Sequence, residues 1–317
     1  MTNPTFRLDN VVMEAAPTLF GKRSPQLYLP GMEPFGPFDL WVVLGCYSLL
    51  DPKKPTNPVT VTLTDFIELL DFSRTISEAL GHYRTFPSDA YVNVREALHR
   101  LFTVEAVYTG DWFVKTGKRG RPRKQIVEYH FRVLSSYMYL YPPDVIPPDQ
   151  LPDRKRRNVN RARTVKGEEG PPVYQYTDGP RPIGIQFTVS QELLRGLTKT
   201  DPHIGATILR MSIFKLRREL ANKHTAVRLL LWVSRQTAKT PKTSLDKLCH
   251  RLNLLDPKGR NVQRAREDAL KAFATLRDLG VVEAFDYDPK TDLIVVTKAD
   301  DWHFPVGEEE EEGLLEA

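Results

Sequence analysis

The sequence predicts an α+β fold made of two units of one plan, joined by a proline-rich basic linker. Three observations carry this. First, Leu98, Leu101, Val104, Glu105 and Ala106 stand in the spacing L-x-x-L-x-x-V-E-A, and Leu276, Leu279, Val282, Glu283 and Ala284 repeat it. Second, about 30 residues upstream of each lies a matching start, Thr62-Leu63-Thr64-Asp65-Phe66-Ile67 and Thr243-Ser244-Leu245-Asp246-Lys247-Leu248, with a Thr or Ser placed to cap a short helix. Third, in both units the apolar spacing changes from helical to strand-like after the repeated block.

In chain order, residues 1–34 hold five prolines and read as an extended arm. The first unit covers 35–142. A helix is predicted from about Asp39 to Leu50, then the short Thr62 helix. A third helix, capped by Ser88, runs through Tyr91, Val94, Leu98 and Leu101. Strand-like runs, Val104–Val114 and Ile126–Leu134, then flank a basic turn. Residues 143–182 are a linker: prolines are dense, little is apolar, and the centre is Arg154-Lys155-Arg156-Arg157. The second unit covers 183–306. Its helices are predicted over Lys223–Ala238, from Leu245 through Leu252, and over Arg260–Leu279. The last carries the stripe Val262, Ala265, Ala269, Phe273 and Leu276, with Gly280 at its C-terminal stop. Val281–Ala284 and Leu293–Thr297 then form a hairpin. Helix, helix, turn, helix, hairpin is the order of a winged helix-turn-helix domain, so two such domains are predicted. Residues 307–317 form an acidic, solvated tail.

Bulk composition narrows the function. With 41% apolar residues in 317, the chain can build packed cores. No run nears the roughly 20 apolar residues needed to span a bilayer, and no signal peptide is visible, so a cytoplasmic protein is expected. Cys46 and Cys249 are too few for a metal cage and read as buried thiols. Net charge is +5, but Glu308–Glu312 mask a body of about +10, which favours a polyanionic partner. No phosphate loop, no His-x-His metal pair and no acidic two-metal cluster is present, so no enzyme and no cofactor are predicted.

The last helix carries the chemistry. Lys258, Arg260, Asn261, Gln263, Arg264 and Arg266 crowd its start, with four cations in nine residues before the first acid, Glu267. Exposed helices favour acids there, because the N-terminal dipole is positive. Cations at that end point to a phosphate or base partner. Arg bridges guanine O6 and N7, and Asn or Gln bridges adenine N6 and N7. In the first unit the corresponding outward residues are Asn93, Arg95 and Arg100, a more mixed set. Its wing tip runs Lys118, Arg119, Gly120, Arg121, Pro122, Arg123 and Lys124, and Arg119-Gly120-Arg121-Pro122 has the form of an AT-hook core. Gly and Pro keep such a segment thin enough to place arginines in a narrow A·T minor groove; the plainer alternative is a phosphate clamp.

The block Ala221–Trp232, the step Phe187–Leu193 and the Arg-rich helix start at 260–266 resemble iteron-type plasmid replication initiators. The resemblance covers 183–300 closely and 38–140 in architecture. It implies a tandem winged-helix pair whose second domain reads repeated origin sites in the major groove. It further implies a first domain that contacts flanking backbone or self-associates, help in opening an AT-rich region, and recruitment of the host initiator and replicative helicase. A winged-helix transcriptional regulator without a replication role would carry the same DNA-binding residues, so that alternative stays open.

Overall fold

The computed structural model describes residues 5–9, 12, 35–51, 57–70, 75–77, 83–85, 88–115, 122–141, 182–197, 206–255 and 261–302. The chain is α+β. Strand β1 (Thr5–Asp9) is followed by helix α1 (Pro37–Ser48). Pro37 suits the first helical position, where its missing N–H would have had no partner. The Asp39 carboxylate turns back to accept the Gly36 N–H at 2.7 Å. Leu40, Trp41, Val42, Val43, Leu44, Cys46 and Tyr47 are all buried, so α1 is a central helix rather than an amphipathic surface one. Gly45 lets its neighbour come close: a Cβ there would stand 3.1 Å from Leu70 and 3.2 Å from Phe66.

Strand β2 (Val59–Thr62) leads directly into α2 (Leu63–Leu69), where Thr62 Oγ1 accepts the Asp65 N–H at 3.0 Å. After the short pair β3 (Thr75–Ser77) and β4 (Tyr83–Thr85) comes α3 (Ser88–Thr103), which buries Ala90, Val94, Ala97, Leu98 and Leu101. A long hairpin follows, β5 (Ala106–Lys115) and β6 (Pro122–Phe131), paired from Ala106 opposite Phe131 to Lys115 opposite Pro122. Strand β7 (Leu134–Leu140) ends this part.

Beyond the linker, the pairing differs from the division predicted at residue 183. Strand β8 (Gly184–Val189) lies between β2 and β7, antiparallel to both, and buries Ile185, Phe187 and Val189 in the first unit's sheet. Its apolar alternation is that of a covered strand, and its partners lie on the other side of the linker. The reverse crossing comes from the N-terminus. Strand β1, predicted as part of an extended arm, pairs antiparallel with β9 (Ala206–Arg210), and Leu8 and Val12 are fully buried. Helix α4 (Gln191–Leu197) links β8 to this region, and a 3-10 turn over Met211–Leu216 leads into the short helix α5 (Arg217–Leu220). The Arg217 guanidinium donates to the Leu70 carbonyl at the end of α2.

The rest follows the predicted order. Helix α6 (His224–Arg235) is buried over Ala226–Ser234. Strand β10 (Lys242–Ser244), helices α7 (Leu245–Arg251) and α8 (Val262–Asp278), and the hairpin β11 (Val282–Asp288) and β12 (Leu293–Lys298) complete it. The sheet order is β10-β12-β11, so the strand before α7 joins the hairpin. Trp232 of α6 meets Phe273 of α8 edge-on at 6.3 Å, and Phe273 lies 5.6 Å from Phe285 of β11. These three rings tie helices to sheet.

Candidate nucleic-acid interface

The C-terminal end of α7 is closed by backbone geometry. Asn253 adopts φ +52, and the bonds Asn253 N–H to His250 O (3.0 Å) and Leu254 N–H to Cys249 O (2.9 Å) terminate α7 in a Schellman pattern. Arg228 of α6, buried, donates to the carbonyls of Leu252 (2.7 Å) and Asn253 (3.0 Å). A charged group inside the core thus satisfies carbonyls that the helix end leaves open. Across the turn, the Asn261 side chain donates to the Leu254 carbonyl at 3.1 Å. The segment just after α7 is therefore bonded both from α6 and from the start of α8.

Helix α8 begins without an acid in its first turn. Ala265, Ala269, Phe273 and Leu276 of the predicted stripe face the core, joined by Ala272, while Val262 at the helix start is only half-buried. Gly280, at φ +71, ends the helix as predicted, with Val281 N–H reaching back to Leu276 O at 2.9 Å. The opposite face carries Gln263, Arg264, Glu267, Asp268 and Lys271, all exposed, lining with Asn261 one shallow open depression. Arg264 makes no hydrogen bond or ion pair among the described residues.

Arg266 is placed differently from Arg264. Its Nε and Nη2 donate to both carboxylate oxygens of Asp246, each at 2.6 Å, and Nη2 lies 3.6 Å from Asp292. Hydrogen bonding to Asp246 holds its proton even more firmly than is usual for arginine. Asp292, at φ +54, sits at the end of the β11–β12 turn. Its carboxylate accepts the Ser244 hydroxyl at 2.5 Å, the Asp246 N–H at 3.2 Å and the Tyr287 hydroxyl at 3.3 Å, and its carbonyl accepts the Leu245 N–H. Burial alone would raise the Asp292 carboxyl, yet the bonds from Ser244 and Asp246 and the Arg266 charge leave it below the usual carboxylate range. Hairpin, α7 and α8 meet at this one cluster.

In the first unit, Asn93 is exposed as predicted. Arg95 and Arg100 are not simply outward. The Arg95 guanidinium lies 4.7 Å above the Tyr139 ring. Arg100 makes two hydrogen bonds, at 2.8 and 2.9 Å, to Asp39, which is fully buried. Both brace α3, one against β7 and the other against α1. Pro122, Arg123 and Lys124 open β6, opposite Lys115, Val114 and Phe113. Lys118, Arg119, Gly120, Arg121, Arg154, Lys155, Arg156, Arg157, Lys258 and Arg260 lie outside the described residues.

Several participants had no signal in the sequence. Asp246 and Asp292 look like ordinary surface acids until the hairpin folds onto α7. Arg228 sits in an apolar run that gives no hint of carbonyl partners. The β11–β12 hairpin exposes Glu283, Asp286 and Asp288 against a single exposed lysine, Lys290, so its charge opposes contact with phosphate. Among the described residues no cluster of three or more His, Cys, Asp or Glu could hold a metal, and no helix is long and apolar enough to cross a membrane.

No protein-family model and no curated protein matches the chain. Among solved structures it is similar to the crystal structure of RctB domains 2-3, at 11% identity and a TM-score of 0.43, over 91% of this chain and 98% of that one. A selenomethionine derivative of the same two domains gives 11% identity and a TM-score of 0.49, over 91% and 99%. The crystal structure of the Pi initiator protein in complex with iteron DNA is similar at 13% identity and a TM-score of 0.45, over 95% and 99%.

Proposed function

We propose that this chain is a sequence-specific double-stranded DNA-binding protein that reads repeated sites at a replication origin and initiates plasmid replication. The observation that carries the DNA-binding part is helix α8. It follows a short capped helix whose end is bonded by Arg228 and Asn261, backs onto a hairpin in the winged helix-turn-helix order, and presents Gln263 and Arg264 to solvent from a first turn free of acids. In this reading Gln263 and Arg264, with Lys258 and Arg260, approach base edges and phosphates, while Asn261 holds the start of α8 to the Leu254 carbonyl. Arg266 sets the pose of α8 through Asp246. The basic wing at 118–124 and the linker cations at 154–157 add contacts to the minor groove or backbone. Origin recognition, opening of an AT-rich tract and recruitment of host replication proteins rest on the resemblance of residues 221–232, 187–193 and 260–266 to iteron-type initiators.

The test is selection of binding sites from random duplex DNA, followed by gel shifts with Arg264→Ala. The expected result is an enriched motif that occurs as direct repeats in the replicon carrying this gene. Arg264→Ala should lose about 1–3 kcal/mol of preference for the selected site over scrambled duplex, with an unchanged thermal melt. An equal loss on both duplexes would confine Arg264 to phosphate contact. Absence of any enriched motif would overturn sequence-specific reading.

A further inference from the structure

We propose that Glu267 is a specificity-determining residue, accepting a hydrogen bond from the exocyclic amine of a cytosine beside the base pair read by Arg264. The inference rests on α8 being the reading helix and adds to it an acidic acceptor beside its cations and amides.

Glu267 shares the exposed face with Gln263 and Arg264. It lies three residues beyond Arg264, about 4.5 Å along the helix axis, close to the ~3.4 Å between successive bases of a strand. Neighbouring base pairs are thus within reach of the two side chains. The Glu267 carboxylate is also positioned: Gln263 Nε2 donates to its Oε1 at 3.1 Å, one helical turn back. Among the described residues this is the bond that holds it, and a carboxylate has further acceptor capacity for an outside donor.

The electrostatics sharpen the point. An acid facing the duplex is repelled by phosphate, so at this position it weakens binding to any sequence that offers no compensation. The compensating groups at a major-groove edge are amines, and the cytosine N4 amine is the match for a Glu acceptor. Guanine O6 and N7 and thymine O4 are acceptors themselves and would meet the carboxylate with repulsion. Glu267 therefore discriminates partly by excluding wrong bases, while Arg264 on the same face attracts. The pair reads a donor and an acceptor side by side.

The experiment is binding-site selection at one fixed salt concentration with the unmodified chain, Glu267→Gln, Glu267→Ala and Arg264→Ala, each checked by thermal melting. Glu267→Ala is expected to lose a cytosine preference of roughly ten- to a hundredfold at one position of the motif. It should also bind a duplex lacking the motif more tightly than the unmodified chain does. Glu267→Gln keeps the shape, can donate as well as accept, and should move the preference at that position toward adenine. If both Glu267 variants keep the original preference at every position, Glu267 is a solvated acid and the proposal falls. If Arg264→Ala also leaves every position unchanged, the failure lies deeper, because α8 then does not touch bases.

Discussion

Lys298 and Arg228 are both buried cations of the second unit, and their surroundings treat them differently. Arg228 donates to two carbonyls, Leu252 and Asn253, at the end of α7. Lys298 donates to Gln236 O at 2.8 Å, at the C-terminal cap of α6, where the helix dipole favours a positive charge. One carbonyl does not replace the water an ammonium loses, and burial lowers the Lys298 pKa to about 8. An unfolded lysine titrates near 10.4, so between roughly pH 8 and pH 10 the unfolded chain holds a proton that the folded chain has released. Stability from this group therefore rises with pH through that window and is lowest below it. Denaturant unfolding at pH 7 and pH 10, compared between the original chain and Lys298→Met, measures this directly. The original should gain about 2 kcal/mol relative to the variant over that interval, and the variant should be the less pH-dependent of the two. Parallel pH profiles would show that Lys298 titrates as an exposed lysine does.

Single elements show which parts of the fold were legible beforehand. Thr62 and Ser244 both cap helices as the sequence predicts, because an N-cap is decided within three residues. The stripe on α8 and the Gly280 stop are equally local. Legibility fails where a side chain is claimed by a distant element. A helical wheel places Arg100 and Arg266 among outward charges, yet Asp39 lies 61 residues from Arg100 and Asp246 lies 20 residues from Arg266. The two caps differ for the same reason. Ser244 accepts the Lys247 N–H and also donates to Asp292, whereas among the described residues the Thr62 hydroxyl makes only the cap bond with Asp65. Thr62→Ala should cost about 1 kcal/mol, as caps do. Ser244→Ala should cost more, about 2 kcal/mol, since it also removes one of the two hydrogen bonds to a charged Asp292 oxygen. Hydrogen exchange of the Asp246 and Lys247 amides would quicken in Ser244→Ala. If the two variants lose equal stability, the hairpin does not hold α7.

At the scale of the whole chain, sequence patterns gave two units in succession, and the structure interlocks them. Strand pairing is not encoded by period, so nothing local told that β8 would join β2 and β7 across the linker, or that β1 would join β9. The consequence is testable by cutting the backbone between residues 142 and 181. The N-terminal piece would keep β2 and β7 without the strand between them, and the C-terminal piece would keep β9 without β1. Ile185, Phe187 and Val189 are each fully buried, and exposing them would forfeit about 5–9 kcal/mol at 1.5–3 kcal/mol per side chain, reduced by residual burial in the unfolded chain. That loss is comparable to the whole stability of an ordinary domain, roughly 5–15 kcal/mol. Neither piece is therefore expected to give a cooperative native melt alone. Mixed, they should restore both crossings, co-elute at the size of the intact chain, and bind the selected duplex again. Intact chain nicked in the linker should likewise stay together under native conditions. The measurements are circular dichroism melts of each piece and of the mixture, with gel filtration and gel shifts on the same samples. If each piece melts cooperatively by itself and mixing changes nothing, β1 and β8 are ornamental to stability, and the units fold as independently as their sequence repeat first implies.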